Sequence, residues 1–251
     1  MQETRNIEGH NITIYKYASI YVIEDVFDDL FCKKIIDIID ITVKDNKLIY
    51  SNGNNVLCYT KNLEDLINTN DTLCYRFSTE PIEYKFLSNI NSKTHDSMYT
   101  NINNGIMKKE LVSIEECLVG KIKNITNIMK ILNEKVKMEN SAQLQLRKIY
   151  GTTRLHTDGI VTGSGSSISY IKNNKYVIDE DCRVRTMSMV CAFNDEYEGG
   201  YFNFPNHDIN LRLKKGAVIL FPPFWTHPHE VTALENETYR YTMNTWFCDK
   251  L

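Results

Sequence analysis

The chain has 251 residues, 42% of them hydrophobic and 24% charged, with 29 basic against 32 acidic side chains and a net charge of −3. That length can bury the core of one large domain or two small ones, and the balance is ordinary for a globular protein. It argues against a generally basic nucleic-acid binder. Seven cysteines occur without a CxxC pair, which reads as reduced thiols in a reducing compartment. The opening MQETRNIEGHNITIYKY has no apolar signal core, and no run of 18 apolar residues occurs. The expectation is a cytoplasmic protein with no membrane partner.

Along the chain, Ile12 to Ile23 is weakly alternating and β-rich, the pattern of a first strand or strand pair. Phe27 to Val43 places Phe31, Ile35, Ile38 and Ile39 at helical spacing behind Asp28 and Asp29, an amphipathic helix with acids in its first turn. The stretch from Lys44 to about Met107 is mixed and carries no clear period. Ser113-Ile114-Glu115-Glu116 has the pattern of a capping box, and Leu118, Ile122, Ile125, Met129 and Leu132 continue it as a helix to about Asn133.

From Ala142 the character changes to short β-rich runs separated by turns: Gln143–Ile149, Thr153–Asp158, Thr186–Phe193, Tyr201–Phe204, Ile209–Leu213, Ala217–Phe221, Glu230–Leu234 and Tyr239–Phe247. Gly199-Gly200 and Lys214-Lys215-Gly216 supply tight connections. Strands at this spacing suggest a sandwich or barrel. The Gly/Ser-rich segment Thr162–Lys175 is expected to be a mobile loop beside a site or a plain surface insertion. One domain is expected, with helical support and first strands in 1–141 and a β-core in 142–251.

His156 and Asp158 stand two apart, so on a strand an imidazole and a carboxylate share a face. A later segment carries His227, His229 and Arg240. Two histidines and one carboxylate leave one face of a metal open, which suits non-haem Fe(II), whereas a catalytic zinc takes three ligands and one water. An inward Arg on the next strand can pair with an anionic co-substrate in a bidentate fork.

With these residues in that order, the chain resembles the Fe(II)/2-oxoglutarate-dependent dioxygenases, and within them the prolyl 4-hydroxylase-like branch. The resemblance runs from about Gln143 to Phe247 through RTMSMVCAFND, EGGYFNFP, GAVILFP and YRYTMNTW. It implies an α+β fold with a double-stranded β-helix (jelly-roll) core and N-terminal supporting helices. It implies Fe(II) held by His156, Asp158 and His229, with 2-oxoglutarate and O2 as co-substrates and ascorbate as a candidate accessory. His229 stands eight after Phe221 and two before Val231, which fits the family's distal histidine; His227 then lines the pocket or supports the ligands. Arg240 would pair with the far carboxylate of 2-oxoglutarate, with Arg185 and Lys148 next in line. The family commonly spaces this residue ten after the histidine; here the spacing is eleven, and Glu235-Asn236-Glu237 replaces the usual small turn. One extra turn residue leaves the later strand in register.

Tyr150 and Thr242 enter as co-substrate contacts by the same resemblance, against plain readings as a strand-end aromatic and a core-packing hydroxyl. His10, His95 and His207 have no partner spacing and read as surface histidines. The implied reaction is hydroxylation of a C–H bond, with a prolyl residue of a protein or peptide favoured. A small-molecule hydroxylase of the same mechanism and a non-catalytic jelly-roll module are the alternatives. A nucleic-acid dealkylase would carry a second Arg at position 246, where Trp stands.

Overall fold

Strands in the C-terminal half carry apolar residues on both faces, and such strands must be covered on both sides. The computed structural model describes residues 2–45, 48–51, 57–60, 74–76, 105–133, 138, 140–141, 145–149, 152–159, 161–162, 169–172, 175–178, 183–236 and 238–250. The chain opens with β1 (Gln2–Ile7), β2 (His10–Tyr15) and β3 (Ile20–Ile23), followed by α1 (Asp29–Asp45). Glu8 and Gly9, both at positive φ, turn β1 into β2. Asp28 starts the helix: its Oδ1 accepts from the Phe31 amide at 2.8 Å. Next come β4 (Leu48–Ser51), β5 (Leu57–Thr60) and β6 (Cys74–Arg76), which form a small sheet of their own, and α2 (Gly105–Leu132).

The remaining strands are β7 (Asn140–Ser141), β8 (Gln145–Ile149), β9 (Thr153–His156), β10 (Val161–Thr162), β11 (Ser169–Lys172), β12 (Lys175–Ile178), β13 (Arg183–Ala192), β14 (Glu198–Gly199), β15 (Phe202–Phe204), β16 (Ile209–Leu211), β17 (Val218–Phe221), β18 (His229–Val231), β19 (Leu234–Glu235) and β20 (Arg240–Lys250). A major sheet runs β1-β2-β3-β17-β13-β20-β7, with β8 on β20 and β10 on β13; a minor sheet runs β16-β15-β18-β9.

Alternation on β13 sorts the core. Met187, Met189 and Cys191 pack with Ile35 and Ile39 of α1 and Ile125 and Met129 of α2. Val190 and Ala192 point the other way, into a second cluster with Phe202, Phe204 and Val231 of the minor sheet. β17 and β20 repeat the pattern, so the major sheet is covered by helices on one face and by the minor sheet on the other. Asp40 of α1 adds a polar tie: it pairs with Lys148 Nζ at 2.7 Å and accepts from the Tyr241 hydroxyl at 2.9 Å. No described helix is long and apolar enough to cross a membrane.

The structure departs from the sequence-based expectations at several points. α2 begins at Gly105, so Ser113 lies inside the helix and not at its start. β9 stops at His156, which leaves Asp158 in the connection that follows. From within Thr162–Lys175, Ser169–Lys172 pairs antiparallel with Lys175–Ile178 as a hairpin, both runs being rich in the aromatic and β-branched residues that favour strands. The extra turn residue sits where expected: Asn236, at φ 54, takes the left-handed conformation that glycine otherwise supplies.

Candidate active site

The two histidines come from neighbouring strands of the minor sheet. His156 ends β9 and His229 starts β18, and the antiparallel register sets them directly opposite each other. Their ring centroids lie 4.3 Å apart. Asp158 curls back beneath them from its connection, with Oδ1 3.4 Å from His156 Nε2 and Oδ2 3.8 Å from His229 Nε2. One donor atom from each of the three residues falls within 4.8 Å of the others.

The surroundings hold these groups in ligand-ready states. His229 is buried between Phe221 and Phe204, with ring centroids at 4.6 Å and 5.6 Å. Burial pushes its pKa down to about 4, against the opposing pull of the Asp158 charge, so the imidazole is neutral near pH 7. Its Nδ1 donates to the His227 carbonyl at 3.2 Å, which leaves Nε2 as the free lone pair. Burial would raise the Asp158 carboxyl. The hydrogen bond from His156, the charges of His229 and His156 and the hydrogen bond from Ser188 outweigh it, and the group is held well below the usual carboxylate range. Ser188 Oγ donates to Asp158 Oδ2 at 2.8 Å.

Arg240 opens β20, opposite Ile149 of β8. It is buried, and its guanidinium crosses the gap between sheets to lie 5.2 Å from the Phe202 ring. Phe202 in turn pairs with Val231 on the histidine-bearing β18. Thr242 shares the face of Arg240 and is buried, its hydroxyl 3.3 Å from Asn244 Oδ1. Lys148 is turned toward α1 and Asp40, on the opposite face of the sheet. Arg185 is occupied with Asp158 and Trp246, its Nη1 donating to the Asp158 carbonyl. Neither of the two reserve basic residues takes the place of Arg240. Tyr150 and His95 lie outside the described residues.

His227 does not share a strand face with His229, because β18 begins only at His229. Its buried ring turns toward the β2–β3 connection, where Nε2 meets the Ala18 carbonyl and Nδ1 meets Thr226 Oγ1. His207 is not a free surface histidine either: its ring lies tilted against that of His227, centroids 4.3 Å apart, and contacts the Thr226 carbonyl. His10 is half-buried against the Glu24 carbonyl. Sequence reasoning missed Ser188, and a signal existed: it is a polar residue on the same alternating face of β13 as Val190 and Ala192.

Residues 146–248 match the family model of the 2OG-Fe(II) oxygenase superfamily. Over those residues the chain carries a 2OG-Fe(II) oxygenase domain. It is a dioxygenase, and its cofactor set is Fe(II), 2-oxoglutarate and O2. No curated protein sequence matches the chain.

Among solved structures, a viral collagen prolyl hydroxylase from Paramecium Bursaria Chlorella virus-1 in complex with 2OG aligns at TM-score 0.51 and 14% identity, over 93% of this chain and 97% of that one. A truncated form of that enzyme aligns at TM-score 0.50 and 12% identity, over 92% and 90%. A Trichoplax adhaerens prolyl hydroxylase, in complex with a hypoxia inducible factor oxygen degradation domain peptide, aligns at TM-score 0.49 and 12% identity, over 92% and 83%. The likeness to the viral enzyme is one of fold.

The oxygenase domain fits its iron on chemical grounds. Two imidazole nitrogens and one carboxylate are the donor set that non-haem Fe(II) takes while keeping positions open. A neutral His229 and an ionised Asp158 need no proton removed before binding. A buried guanidinium on the neighbouring strand suits a dicarboxylate co-substrate.

Proposed function

We propose that this dioxygenase hydroxylates a prolyl residue of a protein or peptide, holding iron through His156, Asp158 and His229 and pairing 2-oxoglutarate with Arg240. The observation that carries the reading is the convergence of His156, Asp158 and His229 within 4.8 Å. When bound, iron and 2-oxoglutarate supply the oxidising chemistry: the keto acid becomes succinate and CO2 as one oxygen atom of O2 enters the substrate and the other enters succinate.

The chain's own residues set up that reaction. Ser188 keeps the Asp158 carboxylate ionised and oriented, and the His227 carbonyl fixes the tautomer of His229. Phe204 and Phe221 shield His229 from water. Arg240 orients the co-substrate, and Thr242 on the same face adds a hydroxyl.

The strand order supports a double-stranded β-helix within one domain: β8-β20-β13-β17 faces β9-β18-β15-β16, four strands against four. The choice of a prolyl substrate is supported by the motifs of the C-terminal half and by the fold shared with a viral collagen prolyl hydroxylase. The seven cysteines occur without a CxxC pair, and Cys32, Cys117 and Cys191 form no disulfide among the described residues, which supports a reducing, cytoplasmic setting. The test is succinate release from 2-oxoglutarate with Fe(II) and a panel of proline-containing peptides, with each peptide weighed by mass spectrometry. One added oxygen on a proline is the expected result. Hydroxylation of a free amino acid or nucleotide, with every peptide unmodified, refutes the substrate assignment and leaves the iron chemistry standing.

A further inference from the structure

Asp158 lies beyond the end of β9, so no ladder of backbone bonds fixes it, yet its carboxylate belongs to a cluster that needs placement to a fraction of an ångström. Three contacts supply the missing rigidity. Ser188 holds the carboxylate. On one side Gly159 is pressed against the Pro223–Phe224 backbone, so closely that a Cβ there would come within 2.9 Å of the Pro223 carbonyl oxygen. The third contact is Arg185. Its Nη1 donates to the Asp158 carbonyl at 2.9 Å, and its guanidinium carbon sits over the Trp246 ring, 3.9 Å from the centroid.

Trp246 is buried, and in the sheet it stands directly beside Ser188. One indole therefore backs both grips on Asp158: the serine next to it in register, and the arginine stacked on it. Among the described residues the buried Arg185 Nε has no hydrogen-bond partner, so the contact with Trp246 and the bond to Asp158 are what hold this guanidinium in place there. A planar, permanently charged fork suits both tasks at once, and lysine offers no flat face.

We propose that Arg185, clamped on Trp246, is a positioning residue that fixes the Asp158 loop and thereby sets the affinity of the metal site. This rests on the assignment of His156, Asp158 and His229 as ligands. Residues that orient metal ligands typically change metal affinity by about 10–100-fold when removed. The two residues act as one device, so their losses should overlap.

The test is Mn(II) binding to the full chain, read as loss of the free-ion electron paramagnetic resonance signal, alongside thermal melting without metal. Arg185→Ala should raise the Mn(II) Kd at least about tenfold. Trp246→Leu should do the same, and the double variant should bind no more weakly than the worse single. Arg185→Lys keeps the charge without the stack and should recover only part of the affinity. An Arg185→Ala protein that binds Mn(II) as the parent does overturns the proposal, as does a double variant whose loss is the product of the two singles. Should Arg185→Ala not fold, an unchanged Kd in Arg185→Lys and Trp246→Leu overturns it equally. A parent chain that binds no Mn(II) fails the ligand assignment itself, which separates the two outcomes.

Discussion

Replacing Arg240 by Met separates a co-substrate role from a structural one. Met keeps much of the aliphatic volume in a position only 4% exposed and deletes the charge. Truncating one side of a desolvated charge pair costs about 2–5 kcal/mol. At about 1.4 kcal/mol per tenfold, the 2-oxoglutarate KM should rise at least about thirtyfold. The metal-free protein should respond differently. Exchanging a buried charge for an apolar side chain of similar size is often neutral or stabilising, so its melting temperature should stay within about 4 °C of the parent. The assay is succinate release across a 2-oxoglutarate titration at saturating Fe(II), with melting followed by circular dichroism. An unchanged KM refutes the assignment. A collapse of the fold with KM intact in the surviving fraction would make Arg240 a packing residue.

Four further variants have expected outcomes. Ser188→Ala removes a hydrogen bond to a buried carboxylate, worth about 1.5–3 kcal/mol, and should weaken Mn(II) binding about tenfold or more in the resonance titration. His229→Ala should abolish metal binding. His227→Ala keeps the backbone carbonyl that orients His229 and should retain the metal while lowering the melting temperature; loss of metal from His227→Ala alone would reverse the ligand assignment. Burial raises the Cys32 thiol to about 11, above its ordinary value of 9.0 and against the pull of Lys215. A raised acid favours folding while it stays protonated, so its contribution is intact below pH 9.0 and is lost as pH climbs toward 11, by about 1.4 kcal/mol per pH unit. Urea midpoints across that window should fall less steeply in Cys32→Ala than in the parent.

Much of the C-terminal half was legible in the sequence because its strands are short β-rich runs that end at turn residues. β17 reads directly from AVILF bounded by Gly216 and Pro222, and α1 from Asp28 with its apolar stripe. β1 was not legible: its residues are mostly exposed and show no apolar alternation, and it is a strand only because β2 offers a partner. The start of α2 was missed because a capping pattern also fits inside a helix. His156, Asp158, His229 and Arg240 stood out as candidates because their chemistry is local and ordered along the chain, and the fold brings the first three together. Arg185 over Trp246 and His227 against Ala18 were not, since contacts between distant segments leave no periodic trace. Lys148 was misplaced for a simpler reason: adjacent residues on β8 face opposite sides, and its side belongs to α1.

Among the described residues, β11 and β12 pair only with each other, and in chain order they fall between β10 and β13, which are both anchored in the major sheet. Length can therefore be added or removed between β11 and β12 without sliding either anchor, and His156 on β9 and His229 on β18 keep their pairing. The enzyme thus has a graft point, where recognition of a new partner can be tried out by insertion and deletion while the chemistry beside it is inherited unchanged.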